Sequence, residues 1–298
     1  VPELFPALRF IIDEDGRNGQ LFILGSASRD LIQQSSESLA GRISYLELTP
    51  FQLGEVGEGE LRQLWLKGGV PRSFLAEVEA SYRWWEDFIR TFLERDIPQL
   101  GFHIPARSLE RLWRMCAHGH GQLLNASKIG TALGISHHTV RSYIDILAET
   151  FLLRIRPPYE ANVKKRLVKS PKIYIRDSGV LHALLDIRRQ NDLLGHPVYG
   201  ASWEGFVLES IIARTPDWCH SFYRTATGIE LDLILEKGLR TVAVECKVST
   251  APKPTKGFWQ ALKDVSVTEA YMVAPVQEGY PIERGVKVVT IAELLHFL

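Results

Sequence analysis

In the stretch GIELDLILEKGLRTVAVECKVS, residues 228 to 249, the charged residues Glu230, Asp232, Glu245 and Lys247 interrupt what otherwise reads as two buried strands. A two-residue turn at Gly238-Leu239, with glycine first as a type II′ hairpin requires, sets Lys237 opposite Arg240. That register places Asp232 opposite Glu245 and Glu230 opposite Lys247. Strand alternation then gathers the four charged residues on one face and leaves Leu231, Leu233, Val244, Cys246 and Val248 for the other. Carboxylates directly across an antiparallel pair sit about 5 Å apart and repel unless something positive lies between them. A divalent cation meets that need, and hard oxygen ligands with a metal-activated water and a fixed ammonium suit phosphodiester hydrolysis.

The helix that must precede this hairpin supplies another carboxylate. In SWEGFVLESIIAR, Trp203, Phe206, Val207, Leu208, Ile211 and Ile212 define one face at helical spacing. Glu204 falls in the middle of that face, where an unpaired carboxylate costs several kcal/mol and calls for a cation (~2–7 kcal/mol even for a neutral polar group). Glu209 points the opposite way and is expected to be solvated.

Composition bounds the classes of function. A hydrophobic fraction of 45% with 23% charged residues is that of a folded globular chain, and 298 residues suggest two to three domains. Lys+Arg 35 balances Asp+Glu 35, so no global field draws the chain to nucleic acid or an anionic membrane; any such contact needs a local patch. Cys116, Cys219 and Cys246 are scattered and form no CxxC, which argues against a disulfide framework or zinc site and for a reducing cytoplasm. No apolar run approaches the roughly 18 residues of a membrane span. The chain begins at Val1 rather than Met, as a fragment would.

The pattern along the chain changes character four times. Residues 1 to 56 read as α/β, with strands LFILGSAS and ISYLELTPF around the helix-like RDLIQQSSESLAGR. Residues 57 to 100 are helical and Trp-rich, 101 to 165 add further helices, and 166 to 298 mix helix and strand again. Ala126 to Leu133, a turn at Gly134-Ile135-Ser136, and His137 to Thr150 make a helix-turn-helix pattern, with Ser136 as N-cap and Val140, Ile144, Leu147 and Phe151 facing a core. His137, His138, Arg141, Ser142 and Asp145 face outward. The following strand material, expected as a wing, carries Lys164, Lys165, Arg166, Lys169 and Lys172, which either track a nucleic-acid backbone or form a solvated strand face. Such a winged helix serves protein contact as readily as DNA contact. His118-Gly119-His120 reads as a polar loop, and Trp65, Trp84, Trp85 and Trp113 as helical core.

Glu204 on a helix, Asp232 in one strand and Glu245-Cys246-Lys247 as E-x-K in the next resemble the PD-(D/E)XK nuclease superfamily, although Leu231 stands where that motif has proline. The resemblance implies a mixed α/β core in which Asp232 and Glu245 bind Mg²⁺, Glu204 completes or orients the metal site, and Lys247 positions the attacking water or stabilises the phosphorane charge. A module that keeps these residues for binding without cleavage is the alternative. More widely, VPELFPALRFIIDEDGRNGQLFILGSAS, QSSESLAGRISYLELTPF, LWLKGGVPRSFL, FLERDIPQLG and RLVKSPKIYIRDSGVLHALL resemble a prokaryotic AAA-type ATPase family with a C-terminal domain of unknown function. That resemblance implies part of an ATPase core over 1–56, a helical lid over 57–100, a winged helix over 101–165 and a nuclease-like domain over 166–298. It places Ser26 near the γ-phosphate, Arg42 near the nucleotide, and Pro71 of GGVP near the base.

No G-x-x-x-x-G-K-[ST] occurs, so the backbone cradle for the β- and γ-phosphates is missing from this sequence. FIIDED, at 10 to 15, mimics a Walker B strand but lies too close to LFILGSAS for a crossover helix, and the true one is expected upstream of Val1. ATP is therefore expected as a ligand only of the full-length family. The expected partners are nucleic acid, DNA before RNA, and a second copy or partner protein at the winged helix or at an exposed edge of the truncated core; no membrane is expected.

Overall fold

The computed structural model describes residues 4–24, 39–160 and 167–298. Among these residues the fold is mixed α/β, built on two sheets. A small antiparallel sheet holds β1 (Gln122–Leu123), β2 (Leu153–Arg156) and β3 (Lys172–Ile175), with β3 in the middle. A larger mixed sheet holds β4 (Cys219–Arg224), β5 (Glu230–Lys237), β6 (Arg240–Cys246), β7 (Glu269–Val273), β8 (Tyr280–Pro281) and β9 (Lys287–Val289), in the order β4-β5-β6-β7-β9-β8. Its β6-β7-β9 pairs are parallel and the rest antiparallel. The two sheets are linked by strand-like bridges, Pro158 to Phe222 and Leu167 to Thr225.

The hairpin register is the expected one, from Lys237↔Arg240 through Leu233↔Val244. Gly238 has φ 60 and exposed Leu239 does not share its positive φ, as a type II′ turn demands. Beyond Leu233 the alternation breaks. Against β4, Ser221 pairs with Ile234 but Tyr223 pairs with Leu231, so β5 carries one extra residue at Asp232-Leu233. Leu231 therefore packs with Ile234 and Ala243 on one face, whereas Leu233 joins Val244 on the other. The expectation that Leu231 and Leu233 share a face, and that Asp232 lies in the ladder opposite Glu245, is corrected by that bulge.

One face of the large sheet is covered by the helix Lys256–Val265 through Phe258, Ala261 and Val265. The other face takes the helix Tyr199–Arg214, whose Trp203, Val207, Leu208 and Ile211 are buried. That helix is covered in turn by the helices Leu61–Lys67 and Ser178–Leu184: Trp65 lies 5.0 Å from Trp203, and its Nε1–H donates to Ser202 Oγ at 2.9 Å. One apolar core thus runs from Leu53 to Leu294, and Trp65, Trp85 and Trp113 belong to it.

The two-helix pattern forms as read. Asn125 caps Ala126–Leu133, Gly134 takes the left-handed conformation, and Ser136 Oγ accepts from Thr139 N–H at 3.1 Å to start His137–Glu149. Val140, Ile144 and Leu147 are buried, but Phe151 is 46% exposed. It lies past the helix end at φ 61, where the chain turns into β2, and its ring sits under the Arg176 guanidinium.

The first segment differs more. FIIDED, expected only to mimic a Walker B strand, belongs to a helix, Leu4–Asp15. Residues 21–24 and 43–49 form no strand either, since an extended segment becomes one only where a neighbour accepts its backbone hydrogen bonds. Leu24, Leu46 and Leu48 are almost fully exposed.

The GGVP turn is anchored by a residue far along the chain. Asp177 accepts from the N–H groups of Gly69 (2.9 Å) and Gly179 (2.7 Å), capping the Ser178 helix while holding the turn. Gly68 is required there: at φ +78, a Cβ would come within 1.9 Å of Asp177 Oδ1. Burial pushes the Asp177 carboxyl up to about 6 in spite of these donors. Its folded pKa lies above the unfolded one, so the folded state holds the proton more tightly and this group's contribution to stability falls as pH rises from about 4 to about 6. Urea denaturation of wild type and Asp177→Asn should give a stability difference that moves by about 3 kcal/mol between pH 3 and pH 7, wild type gaining at the acid end. A pH-independent difference would discard this account of the anchor.

Candidate functional site

The site lies where β3, β5, β6 and the Tyr199 helix meet. Helical spacing turns Glu204 inward beside Trp203, and there it meets β3. Tyr174 O–H donates to Glu204 Oε1 at 2.5 Å, and Lys172 Nζ lies 3.2 Å from the same oxygen. Lys172 also pairs closely with Glu230, which takes a second bond from Arg224 Nη1 at 2.6 Å. The Asp232 carboxylate, released from the ladder by the bulge, accepts the Cys246 N–H at 2.8 Å. Lys247 Nζ sits 2.6 Å from Glu245 Oε1, while Glu245 Oε2 is buried without a hydrogen-bond partner.

The electrostatics follow from crowding carboxylates in a buried place. Burial, then repulsion from Asp232, raises both Glu204 and Glu245 above the usual carboxylate range. Burial works against the Lys172 ammonium, but Glu204 and its neighbours outweigh it and keep the group charged. Lys247 is held above its ordinary value in the same way, by Glu245 and Asp232.

Two further groups line the site. Arg156 is 2% exposed, lies over the Tyr174 ring, and reaches the Asp232 carbonyl oxygen at 3.5 Å, with Nε and Nη2 lacking partners. His120, expected in a polar loop, is buried: its Nδ1 accepts from Ile175 N–H at 3.0 Å, and burial holds it neutral by lowering its pKa to about 3. It presses so closely on the Tyr199 helix that a Cβ at Gly205 would lie 2.2 Å from its Nε2.

Glu204, Asp232, Glu245 and Lys247 are therefore neighbours, as expected, but Lys172 is not where it was expected. It is 2% exposed among the carboxylates rather than on a solvated, nucleic-acid-facing strand. Every residue of β3 is buried, because the strand has packing on both faces, and strand alternation gives no signal of that. Tyr174, two residues on in the same strand, could have been found by the same spacing had the burial been known. Glu209 is corrected too: it is bound by Arg154 and Arg176 instead of solvent.

The oxygen ligands have the right chemistry for Mg²⁺, but one oxygen of each is already held, Glu204 Oε1 by Lys172 and Tyr174, Glu245 Oε1 by Lys247 and Asp232 Oδ2 by a backbone N–H, and Glu245 Oε2 is left without a partner. Among the described residues, no three His, Cys, Asp or Glu side chains group so as to hold a metal ion.

The other expected site residues are dispersed. Arg141 is exposed on the second helix of the pair, and Lys169 is exposed before β3. Lys164, Lys165, Arg166 and Ser26 lie outside the described residues. Arg42 pairs with Asp13 in both of its forked contacts, and Pro71 is the exposed first residue of a short helix, Pro71–Phe74. No helix among the described residues is long and apolar enough to cross a membrane.

Comparison with known proteins defines an ATPase-related class. Family models match three consecutive stretches: an AAA domain over residues 1–57, a domain of unknown function, DUF8612, over 58–191, and another, DUF4143, over 199–294. The chain is 40% identical over 296 residues to the uncharacterized protein Rv2008c of Mycobacterium tuberculosis, covering 99% of this chain and 67% of that protein, and equally to Mb2031c of Mycobacterium bovis. It belongs to the family of these two proteins. No solved structure matches.

Proposed function

We propose that this chain is the recognition and output region of an AAA-type ATPase-related protein. In this reading, a winged helix over residues 101–165 binds nucleic acid, DNA before RNA, and a nuclease-like module from 166 to 298 assists by binding without cleaving. The observation that carries it is the outward edge of the His137–Glu149 helix: His137, His138, Arg141 and Ser142 are exposed behind a capped turn, and the small sheet backs the same unit. Such an edge suits phosphate and base contacts, and Lys169 adds a second exposed cation. ATP is handled in the full-length family by parts that include the phosphate-binding loop, which this sequence lacks.

The test is fluorescence anisotropy with a short labelled duplex and its RNA counterpart across a salt series. Wild type should bind DNA, and Arg141→Ala should weaken binding and reduce the salt slope by about 1, as loss of one phosphate contact does. Binding untouched by Arg141→Ala and Lys169→Ala would sink the reading and leave this helix as a protein-contact surface.

A Mg²⁺-dependent nuclease is the second reading. What favours it is the partnerless buried Glu245 Oε2 in an E-x-K strand, an oxygen that a metal would take. Its mark would be DNA cleavage in Mg²⁺ that Lys247→Ala abolishes.

A further inference from the structure

We propose that Lys172 is a resident counter-cation that closes the carboxylate site to divalent metal. The inference rests on the non-cleaving reading of the nuclease-like module. A buried group of carboxylates needs positive charge, and Mg²⁺ or Mn²⁺ is one way to supply it. Here the supply is internal. Lys172 Nζ lies between Glu204 and Glu230, beside Asp232, with its side chain 2% exposed. Tyr174 O–H fills the same Glu204 oxygen, so that oxygen already receives two donors. The Phe222 ring, 5.5 Å from Nζ, closes the far side of the ammonium.

The origin of the two halves matters. Lys172 and Tyr174 come from the DUF8612 stretch, whereas Glu204, Glu230 and Asp232 come from the DUF4143 stretch. The cation is thus delivered across the junction between the two, on a strand fixed in the middle of its own sheet. A divalent ion entering among the same oxygens would have to approach the ammonium, and like charges in a buried place repel strongly. Exchanging Lys172 for a neutral residue removes that repulsion and leaves the carboxylates short of a cation.

The experiment titrates the full chain with Mn²⁺, following the free ion by electron paramagnetic resonance and the melting temperature in parallel. Wild type should take up no Mn²⁺ that depends on Asp232, and Asp232→Asn should not change its response. Lys172→Ala should melt lower without metal, bind one Mn²⁺, and regain several degrees of Tm, the gain vanishing in Lys172→Ala/Asp232→Asn. Lys172→Met keeps the aliphatic stem and serves if the alanine variant does not fold. Mn²⁺ uptake by wild type that Asp232→Asn removes would overturn the proposal, and so would a folded Lys172 variant that takes up none. If neither variant folds, the wild-type titration decides alone. Absence of DNA binding by wild type would strike the functional reading and leave this proposal to the metal titration, whereas Mg²⁺-dependent cleavage that Lys247→Ala abolishes would strike both.

Discussion

Replacing Trp203 with alanine should destabilise the fold by about 3–5 kcal/mol, read as a lower urea midpoint with an unchanged slope. The indole is 1% exposed, and its neighbours come from both sides of the junction: Trp65 at 5.0 Å and Phe206 at 6.1 Å. The hole left behind cannot close, because the Tyr199 helix is held between the sheet and the Leu61 helix. Tertiary fluorescence and backbone circular dichroism should be lost together, since the same core extends through both layers. A loss below about 1.5 kcal/mol would mean that these layers give way and refill the space.

Glu209→Gln should cost about 3 kcal/mol at neutral pH, the low end for breaking a buried ion pair, because Arg154 keeps a quarter of its side chain exposed. Glu209 joins the Tyr199 helix to β2 through Arg154 and to the residue just after β3 through Arg176, at 2.8 and 3.1 Å for the contacts of its Oε2. Burial disfavours its charge, yet the two guanidinium groups outweigh it and hold the carboxyl below its usual range. A depressed carboxylate pKa contributes stability that is present above the unfolded value and lost as pH falls through the folded one. The difference between wild type and Glu209→Gln should therefore shrink below about pH 4. A constant difference down to pH 3 would show that shape, not charge, is what Glu209 supplies.

The sequence carried the hairpin well because a two-residue turn with glycine first admits few registers, and Lys237↔Arg240 follows from it. Glu204 was legible for a similar reason: one carboxylate in an apolar stripe needs a partner wherever it lands. The bulge at Asp232 was not legible, since one inserted residue leaves composition and approximate alternation intact. Lys172 and Glu209 were misread for a common cause. Spacing tells which side of an element a residue occupies, but not whether that side meets water or another layer, and here both sides meet protein. The segments 21–24 and 43–49 have the apolar run of strands, yet strand formation is a property of pairs and not of single segments.

The position of Lys172 also limits how this architecture can be recombined. A chimera that kept residues 199–294 and took a foreign stretch in place of 58–191 would inherit a tryptophan-bearing helix face without its cover, and three carboxylates without their lysine. The incoming stretch would have to bring an apolar helix and one cation to matching places at the same time. Gene shuffling at that border is thus penalised twice, and the two stretches are expected to travel through genomes as a single heritable unit.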